Sequence, residues 1–335
     1  DGLIGTTADL NGDLRIGLQG KSLATVASFV GWSGLPAQSY KIAGRVQRQS
    51  GRSRLDGVDV TSAGARLQLS GTVGKAPRWD GTAMTFTFAG QDLRPFSALA
   101  RGNGLPAGPF RAQGAFTYGN DRIGLQNVAV TVARSHGSVS ADLGLPLGTP
   151  VSRMQFDIQA SGPDLKLLIP DLPETKAIRQ KFDLRAKGSW GVDKWVFETL
   201  HFDSPGGFLN VHGQLDRAPD YSATSMNIQA RTADLRQTGH LFGIDLPPEP
   251  LEFSAAISGT PYAFRMDGLT GHFGQSDFTG SIALDLRAKP DLDARLNADF
   301  LDLTPLTDSV SDTGGAISPV VADARSIPNI EVPTA

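Results

Sequence analysis

Five histidines, His136, His201, His212, His240 and His272, are the side chains best suited to metal or proton chemistry. No two stand four apart, the spacing that puts a pair of imidazoles on one helix face for zinc. His201 and His212 could face each other across a hairpin, but exposed strand histidines are the better reading. Asp9-Leu10-Asn11-Gly12-Asp13 has the spaced oxygens of a calcium loop, yet no glycine at the sixth place and no closing bidentate acid. It reads as a hairpin turn. Gly102-Asn103-Gly104-Leu105-Pro106-Ala107-Gly108 looks like a phosphate loop, but Pro106 blocks the helix whose N-terminus would hold the phosphate. Asp291 and Asp293 could pair as carboxylates. They stand where other parts of the chain have Pro77-Arg78-Trp79-Asp80 or Pro219-Asp220-Tyr221, so they read as a turn. There is no Gly-x-Ser-x-Gly elbow, and Ser, His and Asp form no local triad. Neither catalysis nor a metal or other cofactor is expected.

The elements around these residues are more informative. Five alternating segments recur, starting at Leu14, Met84, Met154, Met226 and Leu296, at intervals of 70, 70, 72 and 70 residues. Apolar residues hold the odd places and polar or small ones the even places. A side-chain period of two means a strand with one apolar and one polar face. Recurrence at one period means a supersecondary unit stacked along the chain.

Three further alternating runs follow each start. The second is Tyr40–Val46 and its copies Phe110–Phe116, Phe182–Trp190 and Leu251–Ile257. The third is short: Val58–Val60, Val128–Val130, Leu200–Phe202 and, more loosely, Leu269–Gly271. The fourth is Leu67–Gly71, Val139–Leu143, Leu209–Gly213 and Phe278–Leu284. Joins such as Gly119-Asn120-Asp121 and Ser204-Pro205-Gly206-Gly207 are hairpin connections, so neighbours are antiparallel.

Between first and second strands lies a short helical pattern. Asp92 can cap a turn that puts Leu93, Phe96, Leu99 and Ala100 on one face. The same slot holds Ser22–Phe29, Asp164–Leu168 and Asp234–Leu241, each followed by a Leu-Pro pair that ends the turn. The expected fold class is all-β with short helices: an elongated, curled antiparallel sheet of about 17 strands. It divides into repeats 14–83, 84–153, 154–225 and 226–295 and a partial one at 296–307, within a domain spanning 1–307. Residues 308–335 lack a sustained period and are expected to form a flexible tail.

Composition bounds the partners. The chain has 335 residues and a formal charge of -3, so it lacks the basic excess of a nucleic-acid binder. It has no cysteine, which excludes disulfides, Fe–S clusters and zinc ribbons. No apolar run reaches the roughly 18–20 residues of a membrane span. The chain starts at Asp1 inside a strand-like pattern and is expected to be a fragment of a longer protein.

Only one short helix per repeat is available to cover four strands. Inward positions alternate large residues with Gly44, Gly71, Ala112, Gly114, Ala141, Gly188, Gly213 and Gly280, a composition that favours curling over sandwich packing. A narrow apolar gutter would suit an acyl chain. Its expected lining is Ile16, Ile42, Leu69, Phe86, Phe88, Phe116, Val139, Phe156, Ile158, Leu184, Leu209, Val211, Ile228, Phe253, Ile257, Phe278 and Ile282.

From about Leu14 to Leu306 the chain resembles the C-terminal repeat region of the AsmA/TamB family of bacterial envelope proteins. The resemblance is carried by Tyr262–Leu269, Gly274–Ile282, Lys289–Ala294 and Leu301-Asp302-Leu303-Thr304-Pro305-Leu306, and by Gly20-Lys21-Ser22-Leu23 before Leu35-Pro36. It implies a curled sheet with an apolar groove in the periplasm of a Gram-negative bacterium. It also implies an inner-membrane anchor N-terminal to these residues, phospholipid movement toward the outer membrane, and a bearing on outer-membrane assembly. The rival expectation is a scaffold that engages outer-membrane or secreted β-proteins by strand addition.

Overall fold

The computed structural model describes residues 12–29, 34–49, 51–75, 78–100, 105, 107–144, 153–165, 180–191, 194–216, 224–241, 246–260, 262–287, 291–300 and 302. The expected tail at 308–335, the glycine run at 102–104, residues 9–11 and most of the helical slot after Asp164 lie outside them.

Alternation produces one sheet of 17 strands. The first repeat gives β1 (Gly12–Gly20), α1 (Leu23–Phe29), β2 (Tyr40–Gln49), β3 (Arg52–Ser62) and β4 (Ala65–Val73). The second gives β5 (Thr82–Gly90), a 3₁₀ turn (Arg94–Ala100), β6 (Phe110–Gly119), β7 (Arg122–Val132) and β8 (Ser135–Gly144). The third gives β9 (Arg153–Gly162), β10 (Phe182–Gly191), β11 (Lys194–Ser204) and β12 (Gly207–Asp216). The fourth gives β13 (Thr224–Thr232), α2 (Leu235–Leu241), β14 (Leu251–Thr260), β15 (Ala263–Phe273) and β16 (Ser276–Asp285), and β17 (Asp291–Asn297) opens a fifth. Every registered pairing is antiparallel and joins strands consecutive in sequence. The result is one open, curled sheet whose free edges are β1 and β17.

The cross-strand partners correct the phase of two repeats. Leu14, Met84, Phe156, Met226 and Ala294 share one lateral row, so the repeat runs at intervals of 70, 72, 70 and 68 residues. The alternation by itself puts Met154 and Leu296 in that row. A slip of two residues leaves every side chain on its own face, so side-chain pattern cannot detect it; only the hydrogen-bond partners can. Asp291 and Asp293, expected in a turn, lie inside β17, where Asp293 pairs with Arg295 at 3.1 Å.

Each third strand has 11 residues, longer than its apolar run suggested. The extra length contains a bulge at Asp56-Gly57, Gln126-Asn127, Glu198-Thr199 and Asp267-Gly268, where the register shifts against the strands on both sides. Gly57, Asn127 and Gly268 have φ of +58°, +47° and +59°, open to glycine and tolerated by asparagine. The fourth strand supplies polar partners to three of these bulges. Ser70 Oγ accepts from Gly57 N–H (3.3 Å), Ser140 Oγ accepts from Asn127 N–H (3.1 Å), and His212 Nδ1–H donates to the Glu198 carbonyl (2.9 Å). A bulge bends its strand and increases local twist. Four of them in one place along the strand give the sheet a common line of curvature.

The three described straps between first and second strands lie at one rim. Ser22, Asp92 and Asp234 cap them: Ser22 Oγ accepts from Thr25 N–H, Asp92 Oδ1 from Arg94 N–H, and Asp234 Oδ1 from the N–H groups of Arg236 and Gln237. Returning chain pins the first turn, with Leu23 N–H donating to Gln38 and Leu235 N–H to Glu249. The second strap is a 3₁₀ turn because Phe96 N–H reaches Leu93 C=O, three residues back. It drops Phe96 edge-on against Phe88, 5.1 Å between centroids, in a cluster with Ala65, Phe110 and Val132.

Candidate functional site

All seventeen residues expected to line a gutter fall on one face, in three adjacent rows that run across the strands. Phe116, Phe156, Ile257 and Ile282 share the row of Leu14, Met84 and Met226. Ile16, Leu69, Phe86, Val139, Ile158, Val211 and Ile228 occupy the second. Ile42, Phe88, Leu184, Leu209, Phe253 and Phe278 occupy the third. The eight small inward residues are also on this face, filling gaps between the large ones.

Cover is what this face lacks. Phe156 and Val211 are buried at 7% and 8% exposure, and the other fifteen are half-buried. Lateral neighbours shield them from the side, as they do in any sheet. A sandwich would bury most of them against a second layer, and none of the described elements forms such a layer. The straps reach only the rim. Toward the free edges exposure rises, to 59% at Leu14 and 63% at Leu292.

The structure also adds lining that the alternation missed. Beyond each bulge the third strands contribute Leu55, Leu125, Phe197 and Met266 to the first row. The two bulge residues interrupt the period, which is why only three residues per third strand were legible. A fourth row near the strapless rim carries Tyr118, Ile123, Leu143, Met154, Trp190, Trp195 and Leu215. Trp195 stacks on Phe197 (6.2 Å, 9° between planes) and meets Phe156 and Trp190 at 6.2 and 5.9 Å. This gives the third repeat an aromatic belt.

The opposite face is polar and carries several ion pairs. Asp13 bridges Arg45 and Asp59 bridges Arg66; Arg122 meets Asp142, and Lys187 meets Glu198, each at 2.8 Å. At the far rim the Arg287 guanidinium and backbone N–H hold the Asp285 carboxyl down at about 2. Such exposed pairs contribute little to stability, and they mark this face as the wet one. His136, His201, His212 and His272 belong to it. His201 meets Asn210 across the hairpin (2.5 Å), not His212, and His136 approaches Thr131 at 3.4 Å. The side chain of His240 is outside the described residues. Among the described residues no three His, Cys, Asp or Glu converge on a metal-sized space. No helix there is long and apolar enough to cross a membrane.

The chain matches no family model, no curated protein and no solved structure.

Proposed function

We propose that the apolar face is a trough for phospholipid acyl chains, serving lipid transport between the two membranes of a Gram-negative envelope. The single observation behind this reading is a three-row apolar face, continuous over 17 strands, that stays half-exposed for want of a second layer. At ~4.8 Å per strand the trough is about 80 Å long. One acyl chain spans about 15 Å, half a bilayer's hydrocarbon core, so several would fit in file. Burial contributes about 0.8 kcal/mol per CH₂, enough to offset taking a chain out of a membrane. The rows are chemically alike from repeat to repeat, so a chain can slide without a deep trap, and no catalytic residue is needed. The resemblance to the AsmA/TamB family supports the same reading, and with it a periplasmic location and an inner-membrane anchor.

The free edges support the rival reading. Among the described residues β1 and β17 each have one edge without a strand partner, with Leu14, Leu18, Leu292 and Leu296 exposed beside it, a surface that could add strands of an outer-membrane or secreted β-protein.

Trp190 and Trp195 are built-in reporters on the trough, and bromine quenches indole only at contact. A Trp32→Phe, Trp79→Phe chain, purified without detergent, is titrated with phosphatidylcholine brominated on its acyl chain. The trough predicts strong quenching, at least tenfold weaker after Phe156→Glu, which buries a charge against the aromatic belt. Absence of quenching in a folded, β-rich chain would sink the acyl-chain reading and leave strand addition.

A further inference from the structure

We infer that the first-repeat end of the strapless rim docks on an anionic phospholipid bilayer. The fourth apolar row ends there. Its positions hold Tyr118 and Ile123 in the second repeat and Trp190 and Trp195 in the third, but Arg48 and Ser53 in the first. Around Arg48 the β2–β3 hairpin adds Arg52 and Arg54, and the β4–β5 connection adds Lys75 and Arg78; all five are exposed. The two connections meet at this rim: the Lys75 stem lies over the Gly51 turn, 3.1 Å from where a Cβ would stand, and the Arg52 guanidinium reaches Gly81.

Among the described residues none of the five has an ion-pair or side-chain hydrogen-bond partner. The acids nearby are Asp13, already taken by Arg45, Asp80, which accepts from Asn120 N–H, and Asp56, whose field acts on Arg45. Later repeats pair or lack the cation at the place of Arg52. Arg122, equivalent to Arg52, is paired with Asp142, Lys194 donates to Gln214, and the fourth repeat has Ala263. The whole sheet carries this bias. Residues 12–144 hold fifteen Lys and Arg against seven Asp and Glu, whereas residues 153–300 hold fifteen against twenty. An anionic surface therefore attracts one end of the sheet and repels the other. The docking depends on surface charge alone and stands or falls separately from the acyl-chain trough.

The test is flotation of the full chain with vesicles of phosphatidylcholine alone or with 30% phosphatidylglycerol (about a third anionic, a typical acidic leaflet charge). Wild type floats with the anionic vesicles at low salt and is released as salt screens the contact. Arg48→Gln/Arg52→Gln/Arg54→Gln weakens partitioning roughly a hundredfold, from about fivefold per cation. Arg265→Gln/Arg287→Gln/Arg295→Gln changes net charge equally at the far end and leaves binding intact. Equal binding to neutral vesicles, an unaffected first-repeat variant, or an equal loss in the far-end variant each overturns the proposal. Bromine quenching in the first-repeat variant reads the trough independently.

Discussion

Gly213 shows how single residues set the trough's floor. It has φ of +136°, and a Cβ there would lie 2.3 Å from the Ser225 carbonyl oxygen, a backbone atom that cannot step aside. The equivalent row position carries Gly71, Ala141 and Ile282 in the other repeats, so side chains are accepted where the backbone is not left-handed. Gly213→Ala is expected to destabilise by about 1–3 kcal/mol, read as a lower urea midpoint with an unchanged slope. Sequence placed this glycine on the inner face. Its dihedral could not be read there, because Gly71, Ala141 and Gly213 look interchangeable in an alternating pattern.

At the scale of elements, the straps are short and held by few groups. Asp234 satisfies two backbone donors of α2, so Asp234→Ala should cost about 1 kcal/mol. Phe96 is 5% exposed, edge-on to Phe88, and shares a buried cluster with Phe110. Phe96→Ala should cost about 3–5 kcal/mol by the usual range for buried phenylalanine. Both are measured by chemical denaturation, with Phe96→Ala expected to lower the midpoint further than Asp234→Ala. The capping residues were legible because a cap is a local signal: Asp followed by Leu recurs at 92, 164 and 234. The bulges were not legible. Asp-Gly and Gln-Asn inside a strand resemble the polar half of an alternation, and only pairing on both sides reveals the extra residue.

For the whole molecule, consecutive pairing makes the sheet quasi-one-dimensional, each repeat being stabilised by its neighbours. The ends have one neighbour instead of two. Amide exchange should be fastest in β1 and β17 and slowest in the central strands β6 to β12, as followed by peptide-resolved mass spectrometry. Uniform exchange across the sheet would instead indicate a single cooperative unit. The charge bias also belongs to this scale. A net charge of -3 averages two halves of opposite sign, and the basic rim stays hidden in that average.

The sequence by itself determined the strands, their order, the face taken by side chains in the regularly alternating runs and the need for curling, because a period of two is a local property of the chain. It also placed all seventeen expected lining residues on one surface. Tertiary structure alone decided the register, the four aligned bulges and the aromatic belt. It also gathered five cations from two separate connections onto one rim. Each of these depends on which residue lies opposite which, and hydrogen bonding between strands sets that while alternation leaves it free by two.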